Sequence, residues 1–273
     1  MSGIASLGRL IGRKVFPLWG SMSPLEYLKV ARSPAFQTTE TKFLGKPFWV
    51  SNAAGFFHSY EEIFRGRVYE FAAQTATPCI IDAGANIGMS VLFFKSLFPN
   101  SKIIAFEPDP EIYRLLVKNV KSHGYDDVDL RELAVWINDD ELTFYSEGSL
   151  SGSTHIDFRN AGNKKTVKAT RLKTVIAEFA SIDFLKMDIE GAEAEVLLDI
   201  ESELHAVRNL FFEYHSAPGK QQILGELLSA VTRAGFRYVV NGTHGPSLPF
   251  RQNYSGPYEN QMNVSCFRQS NGE

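Results

Sequence analysis

The sequence predicts a parallel α/β fold, a doubly wound sheet with helices on both faces, and three observations carry that reading. From Pro78 onward, short apolar strands alternate with amphipathic helices. A glycine-bearing turn, Asp82-Ala-Gly84-Ala-Asn86-Ile-Gly88, joins the first of these strands to the first helix. At 273 residues and 44% apolar, the chain is long and apolar enough to bury a sizeable single core.

Residues 1–40 mix short apolar runs with Pro17, Pro24 and Pro34 and read as short helices joined by turns. Leu7, Leu10, Ile11 and the segment up to Leu18 form a weak amphipathic element, better suited to packing on the main domain than to peripheral membrane contact. Residues 43–50 read as a strand or hairpin, and His58 to Tyr69 as a short helix. Everything before about residue 70 is expected to be an N-terminal extension covering one end of a main domain, residues 71–273. In that domain Cys79 to Ile81 is a buried strand, and Gly88 to Phe98 an apolar helix stopped by Pro99. Lys102 to Phe106 is the second strand. Glu111 to Ser122 carries Ile112, Leu115, Leu116 and Val120 at helical spacing and ends at Gly124. Val128 to Ala134 reads as the third strand. The rhythm then breaks: Glu141 to Tyr145 and Thr166 to Arg171 are strands around a polar loop. Asp183 to Met187 and Leu210 to Tyr214 are buried strands, with helices at Glu193 to Ile200 and Gln221 to Ala234. Phe236 to Val240 and Met262 to Phe267 close the chain as an antiparallel pair.

A net charge of −3 provides no broad footprint for nucleic acid. No run approaches the 18 apolar residues that argue for a membrane span. Cys79 and Cys266 read as packing residues in a reducing compartment, and the N-terminal stretch lacks the apolar core of a signal peptide, so a cytoplasmic location is expected. The aromatic N-terminal segment (Phe43, Phe48, Trp49, Phe56, Phe57) either enters a homodimer interface or covers its own core.

The turn after the first strand lies where ligands bind in open α/β sheets. Gly84 permits positive φ, and Gly88 allows close approach of backbone to a ligand or to another element. The spacing departs from the G-x-G-x-x-G dinucleotide fingerprint, and Asp82 adds nothing to a pyrophosphate cradle. An acid there suits a ligand with positive charge and N–H donors, and S-adenosylmethionine has both. The second strand ends in Phe106-Glu107-Pro108-Asp109-Pro110, where Glu107 can accept hydrogen bonds from both ribose hydroxyls. Asp109 reads as the N-cap of the following helix.

These residues resemble the FkbM-type S-adenosylmethionine-dependent methyltransferases. The matching segments are Ile81-Asp-Ala-Gly-Ala-Asn-Ile-Gly88, Ala105-Phe-Glu-Pro108, Ala134, Leu185-Lys-Met-Asp-Ile-Glu-Gly-Ala-Glu193 and Phe212-Glu-Tyr-His215. The resemblance implies a class I methyltransferase, with a Rossmann-like doubly wound sheet of seven strands whose last strand is antiparallel. It also implies O-methylation of a sugar, glycan or glycosylated natural product. The N-terminal extension, residues 1–70, matches no family motif and is expected to cover the active-site end. The cofactor contacts it implies are Asp82, Gly84, Ala85, Asn86, Gly88, Ser90, Glu107, Pro108, Ala134 and Asp188.

Two further pairs carry chemistry. Asp188 and Glu190, spaced i, i+2 at the end of one strand, would share a face in extended backbone, as would Glu213 and His215 on the next. The four are expected to converge near the transferred methyl, with His215 or Asp188 as general base and Glu213 beside them. The imidazole's reference pKa of about 6.5 leaves it largely neutral at pH 7. The same carboxylates, Asp188 and Glu213, could instead hold Mg²⁺ or Ca²⁺. Substrate contacts are expected from Tyr60, Ser153, His155, Glu190 and His215, although core packing is the stronger reading of Tyr60 and a solvated hairpin loop that of residues 149–155. Competing readings are N-methylation, metal-assisted O-methylation of a non-sugar small molecule, an NAD oxidoreductase and a binding module. The Asp188-Ile-Glu-Gly191 run favours oxygen over nitrogen as the acceptor atom.

Overall fold

In the computed structural model, which describes residues 21–34, 37–146, 152–153, 164–245, 250 and 258–269, the apolar periodicity becomes two layers on opposite faces of one sheet. The described chain begins with α1 (Pro24–Ala31), N-capped by Ser23, with proline in its first turn. A hairpin follows, β1 (Thr39–Phe43) and β2 (Lys46–Val50). Leu44 and Gly45 at its tip both have positive φ, the twist a two-residue hairpin loop requires. Helix α2 (Ala53–Ser59) starts at Asn52, whose side chain accepts the Gly55 N–H, and continues into a π-helical segment, Tyr60–Arg65. The helix expected at His58 to Tyr69 therefore begins earlier, at its asparagine cap. It closes at Gly66, whose N–H reaches back to the Glu61 carbonyl.

The main domain runs β3 (Cys79–Ala83), α3 (Met89–Leu97), β4 (Lys102–Phe106), α4 (Pro110–Ser122) and β5 (Asp129–Arg131). Next come β6 (Ala134–Trp136), β7 (Glu141–Ser146), β8 (Gly152–Ser153) and β9 (Lys164–Arg171). The chain continues through α5 (Leu172–Ala177), β10 (Ile182–Met187), α6 (Glu193–Asp199), a 3₁₀ turn (Glu201–Ala206) and β11 (Val207–Ser216). It closes with α7 (Leu224–Arg233), β12 (Arg237–His244) and β13 (Asn260–Phe267). The large sheet has the order β12-β13-β11-β10-β3-β4-β5. Its strands pair in parallel from β11 to β5, and β13 runs antiparallel to both of its neighbours. The seven strands and the reversed last strand match the expectation. Connections leave β3 in opposite directions, which puts a crevice at its carboxyl end.

One expected strand is divided. Val128 to Ala134 splits into β5 and β6, because β4 ends at Phe106 and Pro108 has no N–H to extend the ladder. Ala134 pairs instead with Ala169 of β9, in a separate four-stranded sheet of order β6-β9-β7-β8.

Alternation along the central strands sorts the core. Ile80 and Phe184 face the layer built from α3, α4 and the N-terminal hairpin, while Ile81, Ala83 and Leu185 face α5, α6 and α7. The hairpin is tied to α4 by Asn119. That side chain accepts the Trp49 N–H (2.7 Å) and donates to the Trp49 and Ile87 carbonyls (3.0 and 2.9 Å). Phe43 packs edge-on to Phe56 and Phe64, and Phe64 likewise to Phe93 of α3.

Two glycines hold the main domain's first turn. Gly88, at φ +95°, faces α4: a Cβ there would stand 2.9 Å from Leu116 Cδ1 and 3.3 Å from Val120 Cγ2. Its close approach is to helix α4. Gly84, at φ +85°, passes so near the loop after β10 that a Cβ would lie 1.9 Å from the Asp188 carbonyl oxygen. Gly84→Ala is expected to cost about 3 kcal/mol, since clash and left-handed backbone combine. Thermal denaturation should show Tm lower by roughly 6–12 °C. Gly225→Ala in α7, where a Cβ meets open space, should leave Tm unchanged or raise it by roughly 1–3 °C.

Candidate active site

A cavity of about 320 Å³ opens at the carboxyl ends of β3, β4, β10 and β11. That is within the range of small-molecule sites. Gly84, Ala85, Asn86, Ser90, Glu107, Pro108, Ala134, Asp188, Glu190 and Glu213 all line it, so most of the expected site residues are brought together. Asp82, Gly88, His215 and Tyr60 are not among its lining residues.

Asp82 is fully buried behind the turn, and its carboxylate is already engaged. Its Oδ1 lies 3.2 Å from Lys186 Nζ, and its Oδ2 accepts a hydrogen bond from Ser90 Oγ (2.5 Å). The expectation that this acid meets a ligand's positive charge is therefore corrected, since the charge it meets is a lysine of the same protein. Lys186 also donates to the carbonyls of Ala83 (3.3 Å) and Gly84 (2.7 Å), pinning the turn. Burial works against charge on this lysine, but the carboxylates of Asp82 and Asp188 outweigh it and hold the pKa above the usual value. Lys186 was missed as a site residue. Its signal was a lone cation in the apolar strand Asp183-Phe-Leu-Lys-Met187, which needs a buried partner. Strand register sets it directly beside Asp82.

Glu107 faces the cavity from the end of β4 and accepts the N–H groups of Asn86 (3.0 Å) and Asp109 (2.9 Å). Burial lifts its pKa to about 7. Asp109 is the N-cap of α4, accepting the Glu111 N–H (2.8 Å), as expected. Lys165 of β9 reaches its carboxylate at 3.1 Å.

The acidic end is assembled differently from the expectation. Asp188 and Glu190 do not share a strand face, because β10 stops at Met187 and the chain turns left-handed at Glu190 (φ +57°) and Gly191 (φ +97°). Glu193 holds this loop by accepting the N–H groups of Ile189 (2.8 Å) and Gly191 (2.9 Å). The side chains still converge: one ligand atom from each of Asp188, Glu213 and His215 lies within 4.8 Å of the others. His215 Nδ1 stands 3.2 Å from Glu193 Oε1, and Nε2 stands 3.5 Å from Glu190 Oε2 and 3.8 Å from Glu213 Oε2. Burial pushes the imidazole pKa down, but these three carboxylates outweigh it and hold it well above 6.5. His215 stands behind the cavity wall among these carboxylates and is not one of the lining residues. Glu213 is pushed up to about 8 by burial and by Asp188. Asp188 lines the cavity with its side chain partly exposed, while its Oδ1 is buried without a hydrogen-bond partner.

Tyr60 is packed in the aromatic cluster, stacked on Phe64 with its hydroxyl 3.2 Å from Ser21 Oγ, so it makes no cavity contact. The π-helical segment turns Glu62 to the cavity instead, where Asn263 Nδ2 donates to it (3.3 Å) and burial raises its pKa. Nothing in the sequence pattern marks that segment as π-helical. Tyr69 also lines the cavity, with its ring edge-on to Phe211. Ser153 lies in β8, paired with Tyr145, but its side chain and all of His155 fall outside the described residues.

The reversed last strand, the crevice at β3 and a cavity walled by Glu107 fit the class I methyltransferase fold, and the family match makes the protein an S-adenosylmethionine-dependent methyltransferase. The chain belongs to the methyltransferase FkbM domain family, whose pattern matches residues 82–238. It is 31% identical over 203 residues to "Methyltransferase sdnD" of Sordaria araneosa, covering 62% of this chain and 78% of that protein. It is 28% identical over 214 residues to "31-O-demethyl-FK506 methyltransferase FkbM" of Streptomyces tacrolimicus, covering 66% and 81%. It is 27% identical over 155 residues to "2-O-methyltransferase NoeI" of Sinorhizobium fredii, covering 50% and 63%. No described helix is long and apolar enough to cross a membrane.

Removing Lys186 strands a buried carboxylate. Lys186→Met should cost about 3–5 kcal/mol in urea denaturation. Asp82→Asn added to it should recover part of that loss, because the isolated charge is then gone.

Proposed function

We propose that the protein transfers a methyl group to a hydroxyl oxygen of a neutral small molecule, such as a sugar, glycan or glycosylated natural product. The observation that carries this reading is Asp188, a partly exposed carboxylate that lines the cavity close to Glu213 and His215. A substrate hydroxyl can donate to it. Glu62, Glu190 and Glu213 line the same end, so the walls offer acceptors to a donor-rich substrate and repel an anionic one. The names of two relatives, which refer to O-linked methyl groups, support oxygen as the acceptor atom.

S-adenosylmethionine fits the residues present. Glu107 keeps unshared lone pairs toward the cavity for ribose hydroxyls, and Gly84 to Asn86 provide backbone along its edge. When bound, the cofactor supplies an electrophilic methyl on a sulfonium. Asp188 holds the acceptor hydroxyl in line and takes its proton, a contribution of roughly 10²–10⁴-fold. Lys186 Nζ stands 3.8 Å from Asp188 Oδ2 and holds the carboxylate in place at the cavity wall. The segment before residue 70 contributes Glu62 and Tyr69 and serves as the cover of the acceptor side.

Calorimetric titration with S-adenosylhomocysteine should give micromolar affinity, with no heat from NAD⁺. Glu107→Ala should weaken it by roughly 10–100-fold, the worth of hydrogen bonds to a charged group. Ribose hydroxyls donate to the ionised form of Glu107, so affinity should be full above pH 7. It should fall as pH drops through about 7, by up to roughly tenfold per unit, and Glu107→Gln should flatten the profile. Asp188→Asn should abolish most transfer of tritiated methyl to whichever hydroxyl compound proves active in an acceptor screen. Full transfer by that variant would remove the base assignment.

A further inference from the structure

His215 is wholly buried, and its Nε2 has no hydrogen-bond partner. Its Nε2 faces two carboxylates at 3.5 and 3.8 Å, beyond the usual hydrogen-bond range of about 2.7–3.2 Å. Such gaps suit ligands gathered around an ion. Donors at about 2.1–2.4 Å from one cation stand roughly 3–4.8 Å from each other, and Asp188, Glu213 and His215 fall within that spacing. The backing is also that of a metal ligand. Glu193 stands beside Nδ1 at 3.2 Å and is itself fixed by two backbone N–H groups. A carboxylate placed so orients a ligating imidazole and sets its tautomer.

We propose that Asp188, Glu213 and His215 form a divalent-cation site at the acceptor end of the cavity. The mixed imidazole and carboxylate set suits a first-row transition-metal ion over Ca²⁺, and Mn²⁺, the weakest binder of that series, is its paramagnetic probe. The ion balances the carboxylates that crowd around the imidazole. Asp188 binds through one oxygen and leaves the other for the acceptor hydroxyl. The site deepens the methyl-transfer reading and rests on it only for its position beside the acceptor. Its test requires no turnover.

Mn²⁺ alone is titrated into the full-length protein and followed by loss of the free-ion paramagnetic resonance signal, with S-adenosylhomocysteine calorimetry run in parallel. One Mn²⁺ should bind per chain at micromolar concentration, and the pulsed spectrum should show nitrogen coupling from an imidazole. Glu213→Gln and His215→Gln should each weaken the ion at least tenfold while still binding S-adenosylhomocysteine. If either variant fails to fold, the nitrogen coupling in the unaltered protein decides. Absence of binding up to millimolar Mn²⁺, a bound ion without nitrogen coupling, or equal affinity in the folded variants overturns the site. Failure of the methyltransferase reading would appear separately, as Mn²⁺ binding without any S-adenosylhomocysteine binding.

Discussion

The buried ion pair between Lys186 and Asp82 is the constraint on which the rest of the site depends. It joins the two central strands, β3 and β10, at their carboxyl ends, and the lysine also grips the turn carbonyls of Ala83 and Gly84. Two charges this deep are costly to desolvate, so the pair is better understood as fixing geometry than as adding net stability. What it fixes is the approach of the first turn to the loop after β10, close enough that only glycine fits at position 84. Glu107, Asn86 and Asp188 then face one space because the backbones that carry them cannot drift apart.

Around that anchor the cavity is unusually acidic for its size. Glu62, Glu107, Asp109, Asp188, Glu190 and Glu213 line it, with Lys186 the only lysine or arginine to do so among the described residues. Each acid is handled differently. Asp109 caps a helix and meets Lys165, Glu107 accepts two backbone N–H groups, and Glu190 lies against His215. Burial without full neutralisation leaves Glu107 and Glu213 with raised pKa values. The same crowding raises the pKa of His215 against the opposite effect of its burial. Residue type alone does not reveal a protonation state that neighbours impose.

The two additions to the seven-stranded sheet have distinct physical origins. The hairpin and α2 join the main core through aromatic edges and the Asn119 bridge, so they belong to the apolar layer over α3 and α4. The sheet of β6 to β9 exists because β5 exhausts the ladder offered by β4, and the chain finds its next partner in β9. Both bring side chains to the site edge that an alternating strand and helix pattern would not place there: Glu62 from the first, Ala134 from the second.

The sequence by itself determined the strand and helix alternation, the glycine turn, the cap at Asp109 and the acid at Glu107. Each is a local signal of period, cap or turn chemistry that needs no distant partner. It also contained the runs that mark the family. Only the tertiary structure decided what the charged residues face. Asp82 turned inward because register set it beside Lys186, and Tyr60 turned inward because the π-helical segment rotated Glu62 outward in its place. Asp188 and Glu190 parted because the strand ended between Met187 and a left-handed turn. Side-chain direction and charge state are set by contacts between residues far apart in the chain, and no local pattern carries that information.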